Sequence, residues 1–482
     1  MTSENLTLLT DFYELTMMQG YFKNGNNHKV IFDMFYRSNP SGSGYAICVG
    51  LEQVVDYVKN LHFDDDDISY LRSLSIFDEE FLSYLRKFKF TGDIYAVPEG
   101  TVVFPMEPLV KVIAPIMEAQ LVETAILTIV NHQSLIATKA SRVCFAARGD
   151  GIMEFGLRRA QGPDAGTYGA RAAVIGGCIG TSNVLSAKLF GMPALGTHAH
   201  SWIMSFDDEL TAFRKYAELY PDNVTLLVDT YDTLRSGVPH AIQVFEELRD
   251  AGKMPARYGI RLDSGDLAYL SKRAKKMLDA AGFSEASICA SSDLDEYLID
   301  SLKTQGAAIN SWGVGTNLIT SQDCPAFGGV YKLAAVEKDG KFIPKIKISE
   351  NHSKITNPGN KTIYRVYDKE EHKIKADLIS MVGEKFNTDN TLLLFDPIAT
   401  WKKTYMKPGT YELRELLVPV FLNGECVYQS PSTMDIRTYC QEELNTLWDE
   451  TRRLVNPQEV YVDLSNELWQ VKNQLLDRTS LH

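Results

Sequence analysis

Cysteine is sparse in this chain and never paired in sequence. The seven residues (Cys48, Cys144, Cys178, Cys289, Cys324, Cys426, Cys440) are odd in number and form no Cys-x-x-Cys. That speaks against a zinc ribbon or a disulfide framework and suits reduced thiols. Positive charge is also short: 49 Lys and Arg stand against 62 Asp and Glu, a net charge of −13. Such a balance argues against bulk nucleic-acid or anionic-membrane binding, so an anionic substrate has to be held by local Arg, Lys and backbone groups. Met1 to Asn5 carry neither a basic nor an apolar leader stretch, and no apolar run approaches the ~20 residues of a membrane span. These absences predict a cytoplasmic protein. Internal repeats and low-complexity tracts are missing too.

What is present is ample core material, 45% hydrophobic over 482 residues, enough for about three domains at roughly 150 residues each. The most informative stretch runs from 151 to 316. Apolar runs there each end in a polar cluster: Glu154 to Arg159, Gly180 to Asn183, Gly196 to Ser201, Asp229 to Asp232, Arg261 to Asp266, Ser291 to Asp293 and Gly313 to Asn317. Parallel strands buried on both faces read as continuous apolar runs, and in a barrel of alternating strands and helices the loops after the strands carry the chemistry. Segments 207–219, 236–251, 264–281 and 294–305 place apolar residues at three-to-four spacing and read as the intervening helices.

The flanks differ. A first helix is expected from Phe12, Leu15, Met18 and Phe22 on one face with Thr10-Asp11 as its cap. Strands follow over 29–36 and 45–50, then helices over 51–89 with the acidic run 64–67 as a solvated helix start, then short strands over 92–114. One long helix is expected over 118–148, where His132 reads as structural. Beyond 333 the chain turns β-rich, with hairpin turns at 338–341 and 357–360. It ends in two amphipathic helices from 434 onward, broken at Asn456-Pro457, with Leu444, Leu447, Trp448 and Leu454 facing the core. The predicted domains are 1–117, 118–336 and 337–482.

Thr197-His198-Ala199-His200-Ser201 is the sharpest cluster. Two histidines one residue apart on extended backbone point the same way, which would suit a metal chelate. A metal site needs more ligands, however, and beyond His200 this region holds only His240, at a helix start. Structural histidines held by Thr197 and Ser201, or nucleophilic or acid/base use of one histidine, are the other readings. Arg261-Leu262-Asp263-Ser264-Gly265-Asp266 sets a cation and two carboxylates around a helix start; Arg261 can fork onto a carboxylate or phosphate, and Asp263 can orient sugar hydroxyls or Mg²⁺. Arg158 adds a candidate phosphate clamp, and Gly313-Val314-Gly315 lets a phosphate approach the backbone without forming a dinucleotide fingerprint.

Leu9-Thr10-Asp11-Phe12-Tyr13-Glu14-Leu15-Thr16-Met17, Glu154 through Asp164, Gly180-Thr181-Ser182-Asn183, Thr197 through Ser201, Arg261 through Asp266 and Gly315-Thr316 occur in this order, and together they closely resemble the nicotinate phosphoribosyltransferase family, from Leu9 to about Leu333. The resemblance implies a type II phosphoribosyltransferase: an irregular (β/α) barrel, an α+β N-terminal domain completed by later chain, and a homodimer with shared active sites. It implies that nicotinate and 5-phosphoribosyl 1-diphosphate give nicotinate mononucleotide and pyrophosphate in NAD salvage, with ATP hydrolysed through a phosphohistidine and Mg²⁺ as cofactor. By that resemblance His200 is the phosphorylated residue, Tyr13 and Thr197 contact nicotinate, Arg261 pairs with its carboxylate, and Thr316, beside Gly315, contacts the phosphoribosyl diphosphate. A barrel metallohydrolase and a non-catalytic relative on the same scaffold are the competing classes. Quinolinate and nicotinamide transferases share the architecture, but the wording of the motifs favours nicotinate.

Overall fold

The apolar runs of residues 151–314 form parallel strands whose residues are mostly buried. The computed structural model describes residues 5–351 and 354–479, in two compact units: 136–325, and 5–135 together with the chain from 326 onward. The boundaries read from sequence stood at 118 and 336. The division at 135 falls inside a helix, Glu123–Ala146.

In the 136–325 unit a six-stranded sheet runs in the spatial order Gly180–Thr181, Gly151–Glu154, Ser311–Val314, Ser287–Ala290, Arg257–Leu262, Asn223–Leu227. All its pairings are parallel, and the last strand in the chain pairs with the first. A parallel bridge between Thr181 and Ala194 extends one edge. Among the described residues no ladder joins the Ala194 segment to Asn223–Leu227. A side chain crosses that seam instead: the Leu227 N–H donates to His198 Nε2 at 3.2 Å. The expected barrel is therefore a curled parallel sheet open at one seam. Helices Glu209–Leu219, Val238–Asp250, Leu267–Ala280 and Glu296–Thr304 match the four periodic segments, and Asp208, Asp266 and Asp295 cap three of them. Gly237, just before the second, has to be glycine, because a Cβ there would lie 1.8 Å from the Val228 carbonyl at the end of its strand.

The other unit is built on antiparallel pairing. Its seven-stranded sheet has the order Lys341–Pro344, Gly329–Lys338, Lys29–Tyr36, Val110–Pro115, Asp93–Ala96, Val418–Leu422, Glu425–Cys426, so chain from beyond 326 flanks the N-terminal strands on both sides. A four-stranded sheet of Tyr411–Glu415, Lys361–Asp368, Ile374–Met381 and Tyr461–Leu464 stands beside it. Apolar side chains of the first sheet and of the helices over 12–23, 51–59 and 79–85 make a continuous core, with Phe32 stacked on Tyr331. A buried charge network ties early chain to late chain. Arg365 forks onto Asp377 and reaches Glu443, and Arg414 also forks onto Glu443. Burial, and then the facing Asp377, push the Glu107 carboxyl up.

Several local expectations change. The first helix, Phe12–Lys23, starts after Asp11, but Asp11 makes no cap bond and Phe12 is exposed; Glu14 is buried in its place, accepting from Thr10 and Thr124. The predicted 118–148 helix is two, Ile116–Leu121 and Glu123–Ala146. The 45–50 strand shrinks to Ala46–Ile47. The acidic run does start a helix, Asp65–Ser73, with Asp64 and Asp67 closing a capping box. The 338–341 turn joins paired strands, whereas Asn357 to Asn360 only leads into Lys361–Asp368. The C-terminal stretch holds helices Thr433–Asn445, Asp449–Arg452 and Asn466–Thr479, with the strand Tyr461–Leu464 between the last two; Leu444 and Leu447 are buried, Trp448 and Leu454 only partly.

Candidate active site

Arg261 lies on the strand Arg257–Leu262, near its C-terminal end, and three of its N–H groups are committed. Nε donates to Ser291 Oγ (2.8 Å), one terminal nitrogen to Thr197 Oγ1 (2.8 Å) and the other to Asp263 Oδ1 (2.9 Å). A guanidinium carries five donors, so one N–H on each terminal nitrogen remains. Its guanidinium carbon lies over the Phe155 ring, 5.8 Å from the ring centroid. Phe155 in turn occupies space that Gly313 leaves by having no side chain; a Cβ at 313 would come within 2.5 Å of the ring.

Asp263 joins the two motifs singled out in the sequence. Its Oδ1 faces Arg261 and accepts from the Ser291 hydroxyl, while its Oδ2 lies 3.7 Å from His200 Nε2. Burial would raise the Asp263 carboxyl, but the Ser291 hydroxyl and the Arg261 charge outweigh it and hold the group below the usual carboxylate range. It is ionised at neutral pH. His200 Nδ1 meets Thr230 Oγ1 at 3.1 Å. Asp229, one residue earlier, accepts from the Asp263 N–H (2.9 Å) and from the Ser264 hydroxyl (2.6 Å) through one oxygen; its other oxygen is buried with no partner.

The two histidines part company. The alternation expected of extended backbone is broken because Ala199 caps a helix, His200–Met204, so His200 already has helical backbone. His200 stays 39% exposed beside Asp263, whereas His198 is 8% exposed and wedged against Tyr216 and Phe213. Burial pushes His198 down to about 4, so it is neutral, and its Nε2 lone pair is spent on Leu227. The chelating pair is overturned: the two rings serve different partners. Among the described residues no three His, Cys, Asp or Glu side chains form a group able to hold a metal ion by themselves.

His200, Asp263, Arg261 and Thr197 thus form one connected cluster. Gly315 and Thr316 follow the strand Ser311–Val314 in the same sheet, with Gly315 packed against the Phe155 carbonyl, and both are half-buried. Arg158 is exposed on a short 3₁₀ turn, Leu157–Arg159, after the strand that ends at Glu154. Tyr13 belongs to the other unit. It is exposed, and burial of its phenol together with Glu123, Glu14 and Asp11 raises its pKa, so it remains a phenol. Phe155, Asp229, Thr230 and Ser291 were not singled out from sequence. Each sits in a recognised strand-end cluster, and that position was the available signal.

Comparison with known proteins gives this geometry a relative. Three family models cover the chain: the nicotinate phosphoribosyltransferase N-terminal domain over residues 8–131, the family proper over 151–376, and its C-terminal domain over 360–472. A nicotinate phosphoribosyltransferase of Bacillus subtilis is 48% identical over 472 residues, spanning 98% of this chain and 95% of the relative. This chain belongs to the nicotinate phosphoribosyltransferase family. The crystal structure of human nicotinic acid phosphoribosyltransferase superposes with a TM-score of 0.84 at 29% identity, over 97% of this chain and 99% of that one. A nicotinate-nucleotide pyrophosphorylase from Pyrococcus furiosus shares the fold, with a TM-score of 0.70 at 24% identity over 92% of this chain and 97% of that one. The family model over 151–376 includes residues of both units. No helix among the described residues is long and apolar enough to cross a membrane.

Proposed function

We propose that this protein is a nicotinate phosphoribosyltransferase. It joins nicotinate to 5-phosphoribosyl 1-diphosphate, releases pyrophosphate and nicotinate mononucleotide for NAD salvage, and couples the reaction to ATP hydrolysis through phosphorylation of His200. The observation that carries this reading is the single cluster in which Asp263 is hydrogen-bonded to Arg261 through one oxygen and lies 3.7 Å from His200 through the other.

Each part has a task. The free N–H groups of Arg261 offer a charged fork for the nicotinate carboxylate, which a neutral amide would satisfy less well, and Thr197 fixes one arm of that fork. Tyr13 is an aromatic face for the pyridine ring. The pyridine nitrogen attacks C1 of the ribose as the C1–O bond to pyrophosphate breaks; little covalent help is needed, so positioning and charge stabilisation dominate. Gly315, Thr316 and Arg158 serve the phosphoribosyl diphosphate. In the coupled half-reaction an unprotonated imidazole nitrogen of His200 takes the γ-phosphoryl group of ATP, ADP leaves, and water later hydrolyses the phosphoryl–nitrogen bond.

Mg²⁺ fits the oxygen donors present. The unpartnered buried oxygen of Asp229 and the carboxylate of Asp263 are hard ligands, and Mg²⁺ is commonly held by one or two carboxylates plus substrate phosphates. When bound it would neutralise phosphate charge. The protein is taken to act as a cytoplasmic homodimer with shared active sites.

One assay tests the reading. Pyrophosphate and ADP release are followed with nicotinate, nicotinamide and quinolinate side by side. Nicotinate alone should support rapid turnover, His200→Ala should abolish acid-labile labelling from γ-labelled ATP, and Arg261→Ala should raise KM for nicotinate far more than KM for ATP. Labelling that survives in His200→Ala, or equal use of nicotinamide, would overturn it.

A further inference from the structure

The serine at the end of the strand Ser287–Ala290 is almost fully buried, at 3% exposure. Nothing about burial alone requires a hydroxyl there. A serine closing a strand would ordinarily satisfy itself on a nearby carbonyl, and the Leu262 carbonyl is present, yet it lies at a marginal 3.5 Å. The hydroxyl hydrogen is directed at Asp263 Oδ1 instead, while a lone pair of the same oxygen accepts the Arg261 Nε–H at 2.8 Å. One small group thereby touches both members of an ion pair at the point where they meet. Its backbone is held in place by a bond from its own N–H to Leu262 O at 2.9 Å. The next residue, Ser292, has φ of 113°, a region that side-chain-bearing residues seldom adopt. Strain of this kind persists where the surroundings dictate it, and it accumulates at functional sites.

Building on the proposed function, we infer that Ser291 is a positioning residue that sets the nicotinate fork. Its hydroxyl loads Asp263 Oδ1, which leaves Oδ2 facing His200, and it takes the Nε–H of Arg261, which directs the remaining N–H groups of the two terminal nitrogens to the substrate carboxylate. Phe155 fixes the plane of the guanidinium, and Ser291 fixes its rotation within that plane. Without the hydroxyl, Asp263 and Arg261 can collapse into a two-bond fork of their own. Forming that fork turns the guanidinium toward Asp263 and away from the direction in which its free terminal N–H groups meet the substrate.

The test compares wild type with Ser291→Ala and Ser291→Thr at saturating phosphoribosyl diphosphate, Mg²⁺ and ATP, alongside a crystal structure of Ser291→Ala. Loss of a hydrogen bond to a charged group should raise KM for nicotinate by about tenfold to a hundredfold, with kcat falling much less. The preference for nicotinate over nicotinamide should narrow. Ser291→Thr, which keeps the hydroxyl, should restore most of the KM. In the Ser291→Ala structure Arg261 should be rotated onto Asp263. An Arg261 left in its original orientation, or an unchanged KM in Ser291→Ala, overturns the inference, as does a fall in kcat that Thr does not rescue. Wild-type protein that turns over no nicotinate would instead sink the functional reading, and the crystal structure would still decide the role of Ser291. If Ser291→Ala does not fold, Ser291→Cys, a weaker donor of similar size, should give an intermediate KM, and wild-type KM in that variant counts against the inference.

Discussion

The two units of this chain treat charge in opposite ways. In the unit built on antiparallel sheets, Arg365, Asp377 and Glu443 are almost wholly buried, and each guanidinium nitrogen of Arg365 faces one of the two carboxylates. In the parallel-sheet unit, Asp263 and His200 are about one-third exposed, and two N–H groups of Arg261 remain uncommitted. The same residue types serve cohesion in one place and, by the proposed function, recognition in the other. Solvent access decides which, because a buried charge must be paired to be tolerated at all, while a half-exposed one can wait for a partner.

The strongest way to break this contrast is to remove one charge from each cluster. Arg365→Ala strands the buried carboxylate of Asp377, while Glu443 keeps Arg414, and should cost about 3–5 kcal/mol of stability, whereas Asp263→Asn should cost less than about 1 kcal/mol while impairing turnover. Denaturant unfolding of both variants measures this, and similar losses would erase the distinction.

A titration sharpens it. His198 is held near 4 against an ordinary value near 6.5, so the unfolded chain takes up its proton first. Its contribution to stability is whole above about pH 6.5 and is lost as pH falls toward 4, when the nitrogen that accepts the Leu227 N–H becomes protonated. At about pH 4.5 wild type should lose about 2–3 kcal/mol more than His198→Gln, relative to pH 7, by the linkage of roughly 1.4 kcal/mol per unit. Equal acid losses would show that the seam does not depend on this ring.

Glu14, in the other unit, has the opposite sign. Burial raises it to about 7, against the bonds from Thr10 and Thr124 that partly offset the rise. Its contribution is whole below about pH 4.5 and is lost as pH climbs through 7. Glu14→Gln, which keeps an acceptor but cannot ionise, should gain on wild type by about 2 kcal/mol between pH 5 and 8; thermal melts across that range check it, and parallel curves would refute it. The smallest effect is expected for Arg214→Ala. The Arg214–Glu247 pair has good geometry but is over 40% exposed on both sides, so its loss should leave stability almost unchanged, the more so in high salt.

Much of the parallel unit was legible beforehand because its helices repeat at three-to-four spacing and its strands end in polar clusters, both local patterns. The flanks were less legible. Phe12 was assigned to the core by periodicity, yet Glu14 is buried in its place, since Thr10 and Thr124 supply its bonds, one of them from 110 residues away. In the candidate site, His200, Arg261, Asp263 and Thr197 came from motifs. Phe155, Thr230 and Ser291 lie in the same strand-end clusters but were not given roles, because their residue types do not differ from those of an ordinary loop.

By itself the sequence determined where strands end, which residues at those ends carry charge or nucleophilic nitrogen, and, through the order of its motifs, the family. The resemblance pointed to His200, and only the tertiary structure showed what each histidine faces: His198 sits at the open seam of the sheet, and His200, turned by a helix start, lies beside Asp263. That structure alone paired Ser291 with residues 28 and 30 positions away and Thr197 with one 64 positions away. Local patterns follow from neighbours along the chain, whereas a binding fork depends on which strand ends the sheet brings side by side.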